Sequence, residues 1–301
     1  ATRAGAYRES AEIGRRARIP VAIAHEIVDD ESEPLIDAAR AEGIELSVDW
    51  YCYPAGCTHI LAMLQPEDYV GGTDGALERI KDPAERARIA AALERALIHP
   101  EEAPESATQE EGVRAYFSAT RTGRYVGRSI PEIAAEEGRS VADVAIGIME
   151  EELPDAVLVY KRGISQAQLD EEVRRTVRHP AWTLTSDGLY HGPLPHPRGF
   201  ATYVRFLRYA VRDLRALTFG EAIFRMSGGV ADRLRITDRG RIREGLAADL
   251  VILDRDRVGE GNDWDHPRRP PVGIASVLLN GRVVVRDGAA TGELAGRVQI
   301  G

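Results

Sequence analysis

An aspartate in the run Thr185-Ser186-Asp187-Gly188, followed by His191, His196 and Arg198, gathers a carboxylate, two imidazoles and a guanidinium within twelve residues. A carboxylate placed this way can ligate zinc and accept a proton from an attacking water, because a divalent cation lowers the pKa of water towards neutrality. The alternative for Asp187 is a purely conformational Asp-Gly turn. Pro193, Pro195 and Pro197 stiffen the loop, so His191 and His196 are expected to stand over a pocket and touch substrate. Arg198 presents a planar fork that matches a substrate carboxylate; a structural salt bridge is its other reading.

Two more patches carry chemistry. His25 follows the apolar run Val21 to Ala24, which places it at the carboxyl end of a strand as a metal ligand or as a satisfied histidine near the core. The segment Asp49 to His59 is rich in aromatics, so Tyr53 is expected to line a pocket and His59 to serve as a metal ligand. Cys57 and His59 are too close for Cys-x-x-Cys geometry, and Cys57 also reads as a buried free thiol. Lys161, just beyond the apolar run ending at Tyr160, is a further candidate.

The elements that must hold these groups alternate. Short apolar runs at Val21 to Ala24, Ile44 to Trp50, Val113 to Phe117, Ala156 to Tyr160 and Trp182 to Thr185 read as strands. Helical patterns at Glu9 to Arg18, Pro34 to Ala41, Asp82 to Leu97, Ile130 to Glu136, Val141 to Glu151 and Gln166 to Val177 separate them. That is the grammar of a parallel sheet or barrel. Helices at Phe200 to Asp213 and Phe219 to Met226 come next, and after Arg241 the chain breaks into short strands with an Asn280-Gly281 hairpin turn. The reading is an α/β domain over residues 1–235 and a small β element over 236–301.

Composition narrows the function classes. Forty-eight acidic against 39 basic residues, a formal charge of −9, argue against a nucleic-acid partner. No apolar run is long enough for a membrane span, and two cysteines exclude a disulfide scaffold and fit a cytoplasmic location.

Several of these segments, in this order, resemble the N-acyl-D-amino-acid deacylases, or D-aminoacylases, of the amidohydrolase superfamily. Ala24-His25 looks like the family's Ser-His strand end, and Asp49 to Thr58 like its Asp-x-Tyr-Pro-Tyr-x-Ala-Gly-x-Thr, with Cys52 in place of proline. Gly127 to Gly138 resembles its helix start, and Thr185 to Gly188 with His196-Pro197-Arg198 its Gly-Ser-Asp-Gly and His-Pro-Arg. Ala248 to Val251 and Thr291 to Arg297 resemble its closing strands.

The resemblance implies the C-terminal part of a TIM-like (β/α)8 barrel plus part of a small β-sandwich. It further implies hydrolysis of the amide of an N-acyl-D-amino acid with one or two zinc ions. His25 would be a zinc ligand, Asp187 the base and a possible ligand, Arg198 the clamp on the substrate carboxylate, and His59 a substitute ligand. The family's upstream His-x-His and cysteine ligand have no counterpart in the sequence, so an N-terminal companion polypeptide is expected to complete the fold. Association into a homo-oligomer is compatible with this reading. Two other functions stay open: hydrolysis of a cyclic amide, dipeptide or other acylated amine, and a scaffold or binding subunit that keeps the fold without catalysis.

Overall fold

The computed structural model describes residues 2–98 and 115–298. Helix α1 (Arg3–Ala17) is capped by Thr2, whose hydroxyl accepts from Gly5 N at 3.1 Å. It leads into β1 (Val21–Ile23), then α2 (Ser32–Ala41) and β2 (Leu46–Trp50). Asp29 starts α2 by accepting from Ser32 N at 2.9 Å. Farther along, α7 (Gln166–Arg178) opens on a capping box of Ser165 and Gln168, buries Leu169, Val173, Thr176 and Val177, and delivers the chain to β6 (Trp182–Leu184). Strands β1, β2 and β6 form a parallel sheet in the order β1-β2-β6, with Val48 opposite Trp182 and Trp50 opposite Leu184.

Between β2 and α7 the structure departs from the expected grammar. Strand β3 (Ala55–His59), to which the sequence pattern assigns no element, pairs antiparallel with β5 (Val157–Lys161), which pairs antiparallel with β4 (Tyr116–Ala119). The two apolar runs assigned to a continuing parallel series therefore belong to a second, antiparallel sheet of order β3-β5-β4. The strand expected from Val113 begins outside the described residues, and β4 is described from Tyr116. Helices α3 (Gly72–Lys81), α4 (Pro83–Ile98), α5 (Ile130–Glu137) and α6 (Val141–Glu152) accompany this sheet. They share a core with it in which Ile60, Ile80, Ile89, Phe117, Ile133 and Met149 are buried.

The main core lies around the parallel sheet. Ile36, Leu46, Val48, Leu169, Val173, Val177, Trp182 and Phe206 are buried in it, each large apolar side chain contributing about 1.5–3 kcal/mol. Helix α8 (Arg198–Arg205) runs on as a π-helix over Phe206–Asp213, where the sequence pattern predicts one continuous helix. Helices α9 (Phe219–Met226) and α10 (Gly228–Arg233) follow. The last strands, β7 (Leu250–Leu253), β8 (Ile274–Leu279), β9 (Arg282–Arg286) and β10 (Ala289–Ala290), form an antiparallel sheet in the order β10-β9-β8-β7. Asn280 and Gly281 both have positive φ, 50° and 78°, as a type I′ turn requires. The connection between β7 and β8 does not stay with that sheet: Val258 and Trp264 are buried in the main core.

Candidate active site

The three parallel strands end on the same side, and their carboxyl ends carry the site. His25 lies two residues past β1, Tyr51 directly after β2 and Asp187 three residues past β6. His25 Nε2 stands 3.3 Å from Asp187 Oδ2. Both residues hold left-handed backbone, with φ of 61° at His25 and 42° at Asp187, a conformation that costs a residue bearing a Cβ about 1 kcal/mol or more and that collects at working sites. At His25 the backbone is held by Asp49, which accepts from His25 N through Oδ1 at 3.2 Å and from Glu26 N through its carbonyl at 2.8 Å. Tyr7 and Arg3 of α1 hold the Glu26 carboxylate at 2.9 and 2.7 Å.

A cavity of about 410 Å³ lies over this pair, with Glu26, Tyr51, His59, Tyr160 and Arg162 also in its wall. Burial pushes the Tyr51 hydroxyl up to about 12, so Tyr51 offers a neutral O–H near neutral pH. Arg162 is held by Glu172 in two bonds of 2.8 and 2.9 Å. Tyr160 and Arg162 are cavity residues that sequence reasoning missed, whereas Tyr51 belongs to the aromatic segment expected to line a pocket. Strand alternation would put Tyr51 and Tyr53 on one face; what separates them is the tight turn at Cys52, closed by Tyr53 N donating to Tyr51 O at 3.0 Å.

Of the residues expected at the site, His25, His59 and Asp187 line this one cavity. Arg198 is placed differently. It is fully buried and spends its guanidinium inside the protein: Nη2 lies 2.5 Å from Asp187 Oδ2 and donates to Cys57 O at 3.2 Å, and Nε donates to Asp187 O at 2.8 Å. Its Cζ sits 4.3 Å from the Tyr51 ring centroid, and Nη1 is buried without a hydrogen-bond partner. In this arrangement Arg198 grips the Asp187 carboxylate, the structural reading of its fork.

His196 is also fully buried instead of standing over a pocket, and both ring nitrogens are engaged with backbone, Nε2 with Ala55 O at 3.1 Å and Nδ1 with Arg198 N at 3.0 Å. Desolvation, reinforced by the Arg198 charge, holds its pKa well below the ordinary histidine value. His191 is exposed and lies outside the cavity wall. Tyr53 packs beside Tyr51 but is buried against His196 and Arg205, and it borders a separate cavity with Glu260 and Trp264. Lys161 borders a neighbouring apolar cavity of about 730 Å³.

The donor set fits a metal in part. Two ligands bound at 2.0–2.1 Å in a tetrahedral shell lie about 3.3 Å apart, the separation seen between His25 Nε2 and Asp187 Oδ2. His59 shares the cavity but does not complete a three-ligand group: among the described residues, three such groups converge within 4.8 Å only at Glu33, Asp37 and His179. There His179 Nδ1 accepts from Ala181 N at 3.2 Å, which leaves the proton on Nε2 facing Asp37 Oδ1, also at 3.2 Å. With Glu33 held by Arg175, that cluster is a hydrogen-bonded group with no imidazole lone pair to offer an ion. Of the groups expected as ligands, His25 and Asp187 are the two that meet among the described residues.

Residues 70–285 match the Amidohydrolase family. The D-aminoacylase of Alcaligenes xylosoxydans xylosoxydans is 31% identical over 302 residues, covering 97% of this chain and 51% of that protein. A solved D-aminoacylase described by its binuclear metal center superposes with a TM-score of 0.72 at 28% identity, covering 98% of this chain and 52% of its own. The N-acyl-D-glutamate deacylase of Bordetella bronchiseptica, solved with zinc and a phosphonate mimic of the tetrahedral intermediate, gives 0.68 at 25% identity over 96% of this chain and 51% of its own. The chain spans about half the length of the relatives it matches. With the family match covering most of its length and the fold shared with solved members, the chain belongs to the amidohydrolase family.

Proposed function

We propose that this chain is the C-terminal part of a metal-dependent hydrolase that cleaves the amide bond of N-acyl-D-amino acids. The observation that carries the reading is the meeting of His25 and Asp187, from opposite edges of the parallel sheet, at 3.3 Å in one cavity. Likeness to a D-aminoacylase and an N-acyl-D-glutamate deacylase over nearly the whole chain supports the substrate class.

Residues 1–235 would form part of a (β/α)8 barrel and 236–301 part of a β-sandwich, with β1 and β6 as the edges onto which strands from an N-terminal polypeptide add. That polypeptide would bring the remaining ligands. Self-association is a compatible arrangement. Two unbonded cysteines accord with a cytoplasmic location, and among the described residues no helix is long and apolar enough to cross a membrane.

One or two zinc ions, held by His25 and Asp187 with His59 at the cavity wall, would supply Lewis-acid polarisation of the amide carbonyl. The chain's own residues do the rest. Asp187 accepts the proton of the attacking water and returns it to the leaving nitrogen, a contribution of about 10²–10⁴-fold for a positioned general base. Arg198 fixes the orientation of that carboxylate through Nη2 and Nε, and the guanidinium on the cavity wall that is placed to draw the substrate carboxylate is that of Arg162. Tyr51 O–H is a neutral donor for the developing oxyanion.

The test is Asp187→Asn in the full-length enzyme, assayed on a panel of N-acetyl-D-amino acids with metal content measured alongside. The expected result is a loss of kcat of about 10³-fold or more. Undiminished turnover of every accepted substrate would overturn the assignment.

A further inference from the structure

We propose that His196 is a positioning residue: its Nδ1 caps the first N–H of α8 and thereby sets where Arg198 carries the Asp187 carboxylate. This rests on the reading of Asp187 as the proton acceptor. A helix begins with unpaired N–H groups that need acceptors, and Pro197, the residue before α8, gives no side-chain cap. Gly199 N turns to His196 O at 3.3 Å, and Phe200 N and Ala201 N to Pro197 O at 3.0 and 3.1 Å. The acceptor for Arg198 N is the His196 ring itself, at 3.0 Å.

Because Nδ1 accepts, the proton resides on Nε2, which donates to Ala55 O at 3.1 Å. The two contacts select one tautomer and use the whole polar capacity of the ring. Ala55 opens β3, and two residues on, the carbonyl of Cys57 accepts from Arg198 Nη2 at 3.2 Å. Imidazole and guanidinium thus grip carbonyls two apart on one strand, which point the same way. The start of α8 is pinned to β3 at both points, and Asp187 hangs from the second.

A second layer keeps the imidazole from turning. Tyr53 and Trp264 meet it edge-on at centroid distances of 5.1 and 4.8 Å. Trp264 comes from the connection between β7 and β8, where Asn262 Nδ2 also donates to Pro197 O at 3.1 Å. The far end of the chain therefore closes over the residue that holds the catalytic turn.

The two ring nitrogens can be separated by substitution. In the full chain, His196→Asn keeps an acceptor near Nδ1, His196→Gln keeps a donor near Nε2, and His196→Ala keeps neither. Amide exchange at Arg198 is expected to speed up at least about tenfold in His196→Gln and His196→Ala and to stay close to wild type in His196→Asn, as a lost acceptor predicts. Turnover of N-acyl-D-amino acids per folded molecule should follow the same order, in kcat more than in KM. A ring that merely filled space would make activity track melting temperature and leave Asn and Gln equal. Equality of those two in both readouts, or unchanged Arg198 exchange in His196→Ala, would overturn the proposal. If His196→Ala fails to fold, the Asn and Gln pair decides. If wild type turns over none of these substrates, the activity reading fails, and exchange alone then decides the role of His196.

Discussion

Replacing Arg198 by Met keeps the stem that packs against Tyr51 and deletes the guanidinium. The change removes the ion pair to Asp187 Oδ2 at 2.5 Å and the bonds to Asp187 O and Cys57 O at 2.8 and 3.2 Å, all from a side chain with no exposed surface. Removing one partner of a buried pair costs about 3–5 kcal/mol, chiefly because the other charge stays behind unpaired. Asp187 keeps 24% of its side chain in water, which places the cost at the low end. About 3 kcal/mol is expected, or roughly 6 °C at about 2 °C per kcal/mol for a chain of this size.

Asp187→Asn removes the charge and keeps an acceptor, and is expected to cost about 1–2 kcal/mol. Once the charge is gone, the guanidinium has less to hold, so the double variant should be more stable than the sum of the single losses by about 1–3 kcal/mol. Urea unfolding followed through Trp50, Trp182 and Trp264 measures all four corners of this cycle. Additivity within about 0.5 kcal/mol would mean that Arg198 and Asp187 are packed together without being coupled, and the account of the site given above would fall.

Two further outcomes test other parts of the molecule. His196 is held neutral in the fold with its pKa well below that of the unfolded chain, so the unfolded state alone takes up a proton as pH falls through about 6.5. Stability should be complete above that pH and decline below it, by up to about 1.4 kcal/mol per pH unit, and the decline should be shallower in His196→Asn; parallel melting-temperature curves for the two proteins would refute it. Gly56 lies opposite Tyr160 in the β3–β5 register, and a Cβ there would come within 2.3 Å of the tyrosine ring. Gly56→Ala should cost about 1–3 kcal/mol, and a second change of Tyr160→Ser should recover most of it; a neutral single variant would show that the ring swings away freely.

The parts of the site legible in the sequence were those fixed locally. An apolar run ending in histidine and another ending in Ser-Asp-Gly place His25 and Asp187 after strands, and the structure brings the two side chains together. Pairing partners were not legible. The runs at β4 and β5 have the same apolar character whether they pair parallel or antiparallel, and β3, which carries no apolar run of its own, gives no sign in the sequence that it will pair with β5. Burial of His196 was equally hidden: a proline-flanked histidine reads as a rigid, presented ring until two backbone groups distant in sequence, or in another element, take up its nitrogens. Tyr51 and Tyr53 differ by one pleat repeat and their rings stay 6.5 Å apart, yet the tight turn at Cys52 lets the first border the cavity with His25 and the second a separate one.

Under the roles proposed for His25 and Asp187, their left-handed backbone sets stability against activity at those two positions. Glycine, or asparagine as the next best, suits that conformation better than either residue present. Asp187→Asn would relieve the backbone yet still lose stability, because the ion pair to buried Arg198 goes with the charge; that guanidinium is what keeps an aspartate in such a conformation. Retention of histidine and aspartate at such sites in active relatives would be a cost accepted for catalysis, and their loss a simple mark of a copy that has given up the reaction.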